Sequence, residues 1–102
     1  MPILTMTKGL PASGKTTWAK SVVGAKRVNK DDLRAMIDNG KWSKKNERSI
    51  LAARDNLIIQ YLREGSSVIV DDTNLNPKHE QDLRKIADTF NALFEIKDLT
   101  KK

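Results

Sequence analysis

Cysteine is absent from the 102-residue sequence. That absence removes disulfide frameworks and thiolate zinc sites, and fits a reducing compartment. No apolar run approaches the ~18 residues of a membrane span, and Met1-Pro2-Ile3 lacks the basic start of a secretory leader. A cytoplasmic protein without a membrane partner is therefore expected. Repeats and low-complexity tracts are also missing, so residues 1–102 read as one domain, inside the usual ~50 to ~250 residue range. Hydrophobic content of 38% argues for a folded chain rather than a disordered one. Acidic residues are in deficit, 13 Asp+Glu against 19 Lys+Arg, for a net charge of +6. Such a balance favours polyanionic partners by steering and counterion release, although it also serves solubility alone.

The apolar pattern alternates strands with helices. Ile3 to Thr7 is β-compatible and ends just before the first glycine. A helix is expected from Lys15 to Val23, carrying Trp18 on its core side and closed by Gly24. Lys26-Arg27-Val28 reads as a short strand, followed by a helix capped by Asp31 or Asp32 and stopped at Asn39-Gly40. Ser43 caps the longest helix, to about Glu64, with a stripe of Ile50, Leu51, Leu57, Ile58, Tyr61 and Leu62. On it Arg54, Arg63 and Lys44-Lys45 read as a solvated face, with a contribution to a nucleic-acid path as the alternative. Ser67 to Asp71 is almost wholly apolar, as in a parallel strand buried on both faces. Asn76-Pro77 starts a helix packing through Leu83, Ile86, Ala87 and Phe90, with His79 solvated in its first turn. Ala92 to Leu99 alternates as a fourth strand. This order predicts an α/β three-layer sandwich, a short parallel sheet of about four strands with helices on both faces.

Gly9-Leu10-Pro11-Ala12-Ser13-Gly14-Lys15-Thr16 fits G-x-x-x-x-G-K-[ST] at each required position, between a strand and a helix. Gly9 and Gly14 permit backbone angles and close approaches that other residues resist. The loop through Pro11, Ala12, Ser13 and Gly14 would form a nest of the successive N–H groups after Pro11 at a helix N-terminus, where the dipole favours phosphate. Lys15 suits the β- and γ-phosphates, Thr16 a Mg²⁺ ion, and Thr17 the α-phosphate. The expected fold is therefore of the P-loop NTPase kind, with a nucleoside triphosphate as partner.

Two further clusters bear on what receives the phosphate. Asn29-Lys30-Asp31-Asp32-Leu33-Arg34 follows the second strand, at the edge where α/β sheets bind ligands. Asp31 and Arg34 can share a helix face, as base and phosphate clamp or as an N-cap with a surface ion pair. Asp71-Asp72-Thr73-Asn74 follows the buried third strand. There an acidic residue can orient Mg²⁺ or its waters. Asp72 is assigned to the site and Asp71 to local structure, with Thr73 and Asn74 at the crevice mouth.

Together, "GLPASGKTTWA", "NKDDLR" and "DDTNLNP" resemble the kinase domain of bacteriophage-type polynucleotide 5′-hydroxyl kinases, over residues 3 to about 99. The resemblance implies ATP and Mg²⁺ at Lys15 and Thr16, Asp31 as general base, Arg34 on the phosphate beside the terminal nucleoside, and Asp72, Thr73 and Asn74 on the acceptor side. The implied reaction is γ-phosphoryl transfer to a DNA or RNA 5′-hydroxyl, in the host cytoplasm if phage-encoded. That family continues past its fourth strand into a lid with arginines, and many members add a phosphatase with an Asp-x-Asp-Gly-Thr motif. Neither is found here, so a truncated domain, or a homo-oligomer lending its arginine, is expected. A kinase for a small metabolite and a nucleotide-binding module with little catalysis are the alternatives.

Overall fold

A computed structural model describes residues 1–9, 14–39, 43–72 and 76–99. The sequence assignments at Pro11, Ala12, Ser13, Thr73 and Asn74 lie outside the described residues, as do the side chains of Lys15 and Thr16.

Eight elements alternate along the chain: β1 (Ile3–Lys8), α1 (Lys15–Ser21), β2 (Ala25–Val28), α2 (Lys30–Asp38), α3 (Lys44–Arg63), β3 (Ser67–Val70), α4 (Pro77–Thr89) and β4 (Leu93–Asp98). The four strands form one parallel sheet in the order β2-β3-β1-β4. Register places Leu4 opposite Val68 and Phe94, and Val28 opposite Val70. β1 therefore runs through the middle, and the strands leave the sheet at the same edge.

The two faces are covered unequally. Leu4, Met6, Val68 and Val70 are fully buried and pack with Ile50, Ile58 and Leu62 of α3 and Leu83 and Ala87 of α4. Alternate residues point the other way. There Ile3, Thr5 and Ile69 meet α1 across a cavity of about 250 Å³ that Trp18 and Val22 also line. Trp18 was expected in the core; it is instead half-buried, with the Lys97 ammonium 5.5 Å from its ring centroid. A single short helix does not cover this face, so the indole shares it with open space.

Helix boundaries follow local hydrogen bonding. α1 stops two residues before the expected end because Val22 turns extended (ψ 114°), which leaves Val23 97% exposed. The Ser21 hydroxyl donates to the Trp18 carbonyl at 2.6 Å, the competition by which serine weakens a last turn. Gly24 then takes φ 88°. α2 is capped by Asn29, not by Asp31 or Asp32: its side-chain oxygen accepts the Asp32 N–H at 2.9 Å. α3 starts at the Ser43 cap, which accepts the Asn46 N–H at 3.0 Å, and α4 at Asn76 followed by Pro77.

The buried stripe of α3 is Ile50, Arg54, Ile58 and Leu62, spaced by four, with Leu57 and Tyr61 at its margin. Ile58 has no exposed surface and lies between the sheet and its neighbours on the stripe. Replacing it by alanine should cost about 2–5 kcal/mol, measured as a lower urea midpoint at unchanged slope. A loss below ~1 kcal/mol would show that α3 does not seal this face.

Candidate active site

The sheet's carboxyl edge is organised by one buried aspartate. Asp71 follows β3 with no exposed surface. Its N–H donates to the Val28 carbonyl at 2.9 Å, and its own carbonyl accepts from the Asn29 amide. Its carboxylate accepts from the Arg27 Nε at 2.6 Å, and Arg27 also reaches Asp32 at 2.7 Å. One Asn29 side chain thus caps α2 and ties it to the end of β3. Since Asn29 does the capping, Asp31 and Asp32 keep their carboxylates for other partners.

Asp31 projects from the first turn of α2 with its side chain 85% exposed and accepts from Arg34 Nη1 at 2.6 Å. Arg34 makes a second, two-pronged pair with Glu47 in the first turn of α3, Nε to Oε2 at 2.9 Å and Nη2 to Oε1 at 2.7 Å. Three of its five N–H groups are engaged and the guanidinium plane is set, leaving two donors for an anion. The Arg34 hydrogen bonds hold the Glu47 carboxyl below its usual range, against the opposing effect of burial. Glu47 was not singled out from sequence; its signal was its place in the capping turn begun by Ser43.

Asp72, 6% exposed, accepts the Lys30 N–H at 2.8 Å, so α2 and β3 converge on it. Burial raises its carboxyl pKa, partly offset by that N–H and by the charges of Lys30 and Arg54. Thr7 of β1 donates its hydroxyl to the Asp72 carbonyl at 2.9 Å. Lys30 acts electrostatically on Glu47, Asp72 and His79 together. The sequence reading gave it no role.

The remaining wall is the start of α1. Gly14 takes φ 90°, a Cβ there would meet nothing within 4 Å, and among the described residues no side chain caps the helix. With no acidic residue in this turn, the dipole at this helix start suits an anion. Gly9 is buried and Thr17 exposed. Among the described residues no group of three or more His, Asp or Glu could hold a metal ion. A Mg²⁺ ion carried by substrate phosphates needs only one or two protein carboxylates, and Asp72 offers one at this edge.

Two residues lie elsewhere than expected. Arg54, read as solvated, is 1% exposed and bound twice to Asp55 Oδ1, at 3.0 and 3.1 Å. Its place at i+4 between Ile50 and Ile58 was the missed sign. His79, also read as solvated, is half-buried, and its Nδ1 is buried without a hydrogen-bond partner.

The AAA domain family matches residues 4–100 of this chain. The chain belongs to that family and is a P-loop domain of the kinase type. A protein of Autographa californica nuclear polyhedrosis virus named as a bifunctional polynucleotide kinase/RNA ligase is 34% identical to it over 84% of the chain. A chain of the Pnkp1/Rnl/Hen1 complex superposes on 99% of the kinase domain with TM-score 0.86 and 28% identity. The APS kinase of Mycobacterium tuberculosis shares the fold over 95% of it, with TM-score 0.71 and 19% identity. The kinase domain spans only 14% of the viral relative and 36% of the complex chain. No helix among its described residues is long and apolar enough to cross a membrane.

Two pH-dependent outcomes follow for the kinase domain. Glu47 has a depressed pKa in the fold, so its contribution is present above the unfolded value of about 4.3 and is lost as pH falls through the folded value. Glu47→Gln should therefore lower stability at pH 7 by roughly 1 kcal/mol, and the gap to the parent should close below pH ~4. A gap that persists in acid would contradict the pairing. Asp72 has the opposite sign, because its raised pKa means the fold disfavours the charged form. Asp72→Asn should leave the urea midpoint at pH 7 unchanged or higher, and a clear fall would contradict this assignment.

Proposed function

We propose that the domain is an ATP-dependent polynucleotide kinase, transferring the γ-phosphate of ATP to a 5′-hydroxyl of DNA or RNA. The observation that carries this reading is Arg34. Glu47 fixes its guanidinium at the carboxyl edge of the sheet, with two N–H groups left over, beside an exposed carboxylate on the same helix face. A clamp for an acceptor phosphate next to a base for an acceptor hydroxyl suits a nucleic-acid end. The names of the viral relative and of the Pnkp1 complex support this acceptor class, as does the net charge of +6.

In this reading the uncapped start of α1, with Gly9, Pro11, Ala12, Ser13, Gly14, Lys15, Thr16 and Thr17, seats the triphosphate. Thr16 and Asp72 are the side chains that would hold Mg²⁺, which when bound neutralises charge developing between the β- and γ-phosphates. Asp72, Thr73 and Asn74 line the acceptor side. Arg34 places the strand through the phosphate beside the terminal nucleoside. Asp31 takes the proton of the 5′-hydroxyl as its oxygen bonds to the γ-phosphorus, and the bond from that phosphorus to the β-bridging oxygen breaks, releasing ADP.

Radiolabelled ATP, Mg²⁺ and a 5′-hydroxyl oligonucleotide test this directly. Label should appear on the 5′ end, and Asp31→Asn should reduce its rate about 10²- to 10⁴-fold with little change in ATP affinity. Label on small hydroxyl compounds but never on oligonucleotides would replace this acceptor with a metabolite. ATP binding without transfer to any acceptor would leave a binding module. Lys15→Ala should weaken ATP binding, and unchanged affinity would remove the phosphate-loop assignment.

A further inference from the structure

The sheet has two open edges, and they differ in charge. Among the described residues β2 pairs only with β3, and β4 only with β1. An edge strand presents unpaired N–H and C=O groups to any strand that fits beside it. β2 is four residues long and carries Lys26 and Arg27 at its centre. A second β2 beside it would set one of these cations against its own copy. β4 is longer, has no proline, and is exposed at every residue except Phe94.

The contacts with β1 fix which groups of β4 point outward. Leu93 donates its N–H to the Pro2 carbonyl at 2.9 Å, and Leu99 to the Lys8 carbonyl at 2.7 Å. Odd-numbered residues of β4 therefore bond inward. Phe94, Ile96 and Asp98 turn their N–H and C=O groups to the open edge. Side chains divide by the same alternation. Glu95 and Lys97 stand on the α1 face, where Glu95 lines the cavity beside Trp18 and Lys97 lies over its ring. Phe94 and Ile96 stand on the α4 face, where the Arg84 guanidinium is 4.6 Å from the Phe94 centroid.

A second β4 can lie antiparallel to the first only about a two-fold axis normal to the sheet, so side chains of one face meet those of the same face. Three central alignments are then possible. Centring on Glu95 sets two glutamates opposite each other, and centring on Lys97 sets two lysines opposite. Both are repulsive. Centring on Ile96 sets Glu95 opposite Lys97 twice over.

We propose that β4 is a self-recognition edge, pairing antiparallel with β4 of a second copy about a two-fold axis at Ile96. The two Glu95–Lys97 pairs fall at non-hydrogen-bonded positions, where opposed side chains approach most closely. Phe94 exchanges backbone hydrogen bonds with Asp98 of the second copy, whose carboxylate arrives on the face that Arg84 occupies. Leu93, 52% exposed, comes opposite Leu99, and Ile96, 38% exposed, comes opposite itself. The pairing makes one continuous sheet whose two carboxyl edges point in opposite directions. It therefore completes neither crevice, and it is independent of the phosphate-transfer reading.

Sedimentation equilibrium of the chain over a range of concentrations tests this, with a dimer as the expected species. Glu95→Lys keeps the Lys97–Trp18 contact but sets lysines opposite, and should weaken the dimer about tenfold or more. Lys97→Glu should do the same, and the two changes together should restore association. Urea midpoints, read where the parent is monomeric, separate misfolding from lost pairing. The chain has no cysteine, so a single introduced thiol reports the register. Ile96→Cys should link two copies under mild oxidation, since opposed Cα atoms at such a position are about 5.5 Å apart. Lys97→Cys should not, being two residues out of step with its own copy. A chain that stays monomeric would overturn the proposal and leave the edge to a strand of another polypeptide. A dimer indifferent to both charge changes and unlinked through Ile96→Cys would overturn it in favour of a different face.

Discussion

The carboxyl edge of the sheet depends on how Asp71 is tied. Its backbone closes the ladder to β2, and its carboxylate is neutralised by Arg27 in the interior. Leaving a buried charge unpaired costs several kcal/mol (order of magnitude), so this pair is under strong constraint. Asn29 uses the same junction to cap α2. The direction of α2 is thereby set, and with it the side of the crevice to which Asp31 and Arg34 belong. Asp72, one residue further, is drawn in by the N–H of Lys30. Three short segments from distant parts of the chain meet here.

A division of labour follows between the two acidic neighbours. Asp71 is consumed by architecture, with a guanidinium on its carboxylate. Asp72 is buried at an energetic cost, its charged form disfavoured where it stands. Groups held against their own solvation are common where a function needs them. Arg34 shows the complementary strategy. Its long side chain would lose much entropy on binding a phosphate, but Glu47 has already ordered it. The helices therefore do more than cover the sheet: α3 seals the core with Ile50, Ile58 and Leu62 and steadies the α2 arginine from its first turn.

The faces of the sheet differ in the same functional sense. α3 and α4 make a dry core with Leu4, Met6, Val68 and Val70, so elements anchored there keep their geometry. α1 lies on a looser face, over a cavity and beside the exposed Val23. Its N-terminus still follows directly from the loop after β1, the central strand. The tightly packed half of the molecule carries Arg34, Glu47 and Asp72, and the loop after β1 is joined to it through that strand.

Much of this was legible in the sequence because it depends on local periodicity and on motifs with fixed spacing. The alternation of elements, the Ser43 and Asn76 caps, the buried character of Ser67 to Val70 and the loop motif from Gly9 to Thr16 all fall in that class. So does the family to which the chain belongs. Two assignments failed because a partner far along the chain decided them, and one because charge was weighed above local spacing. Asn29 rather than Asp31 or Asp32 capped α2 because its amide also found the Asp71 carbonyl, 42 residues away. Arg54 was read by its charge, whereas its place on the α3 stripe buried it, with Asp55 beside it accepting its hydrogen bonds. Glu47 carried no motif, and its importance arose only when α2 and α3 brought it to Arg34. Sequence by itself determined the elements, their order and the phosphate loop, since backbone periodicity and glycine geometry act within a few residues. Tertiary structure alone decided which charges are spent on the fold and which remain for chemistry, because burial and pairing belong to segments that meet only when the sheet closes.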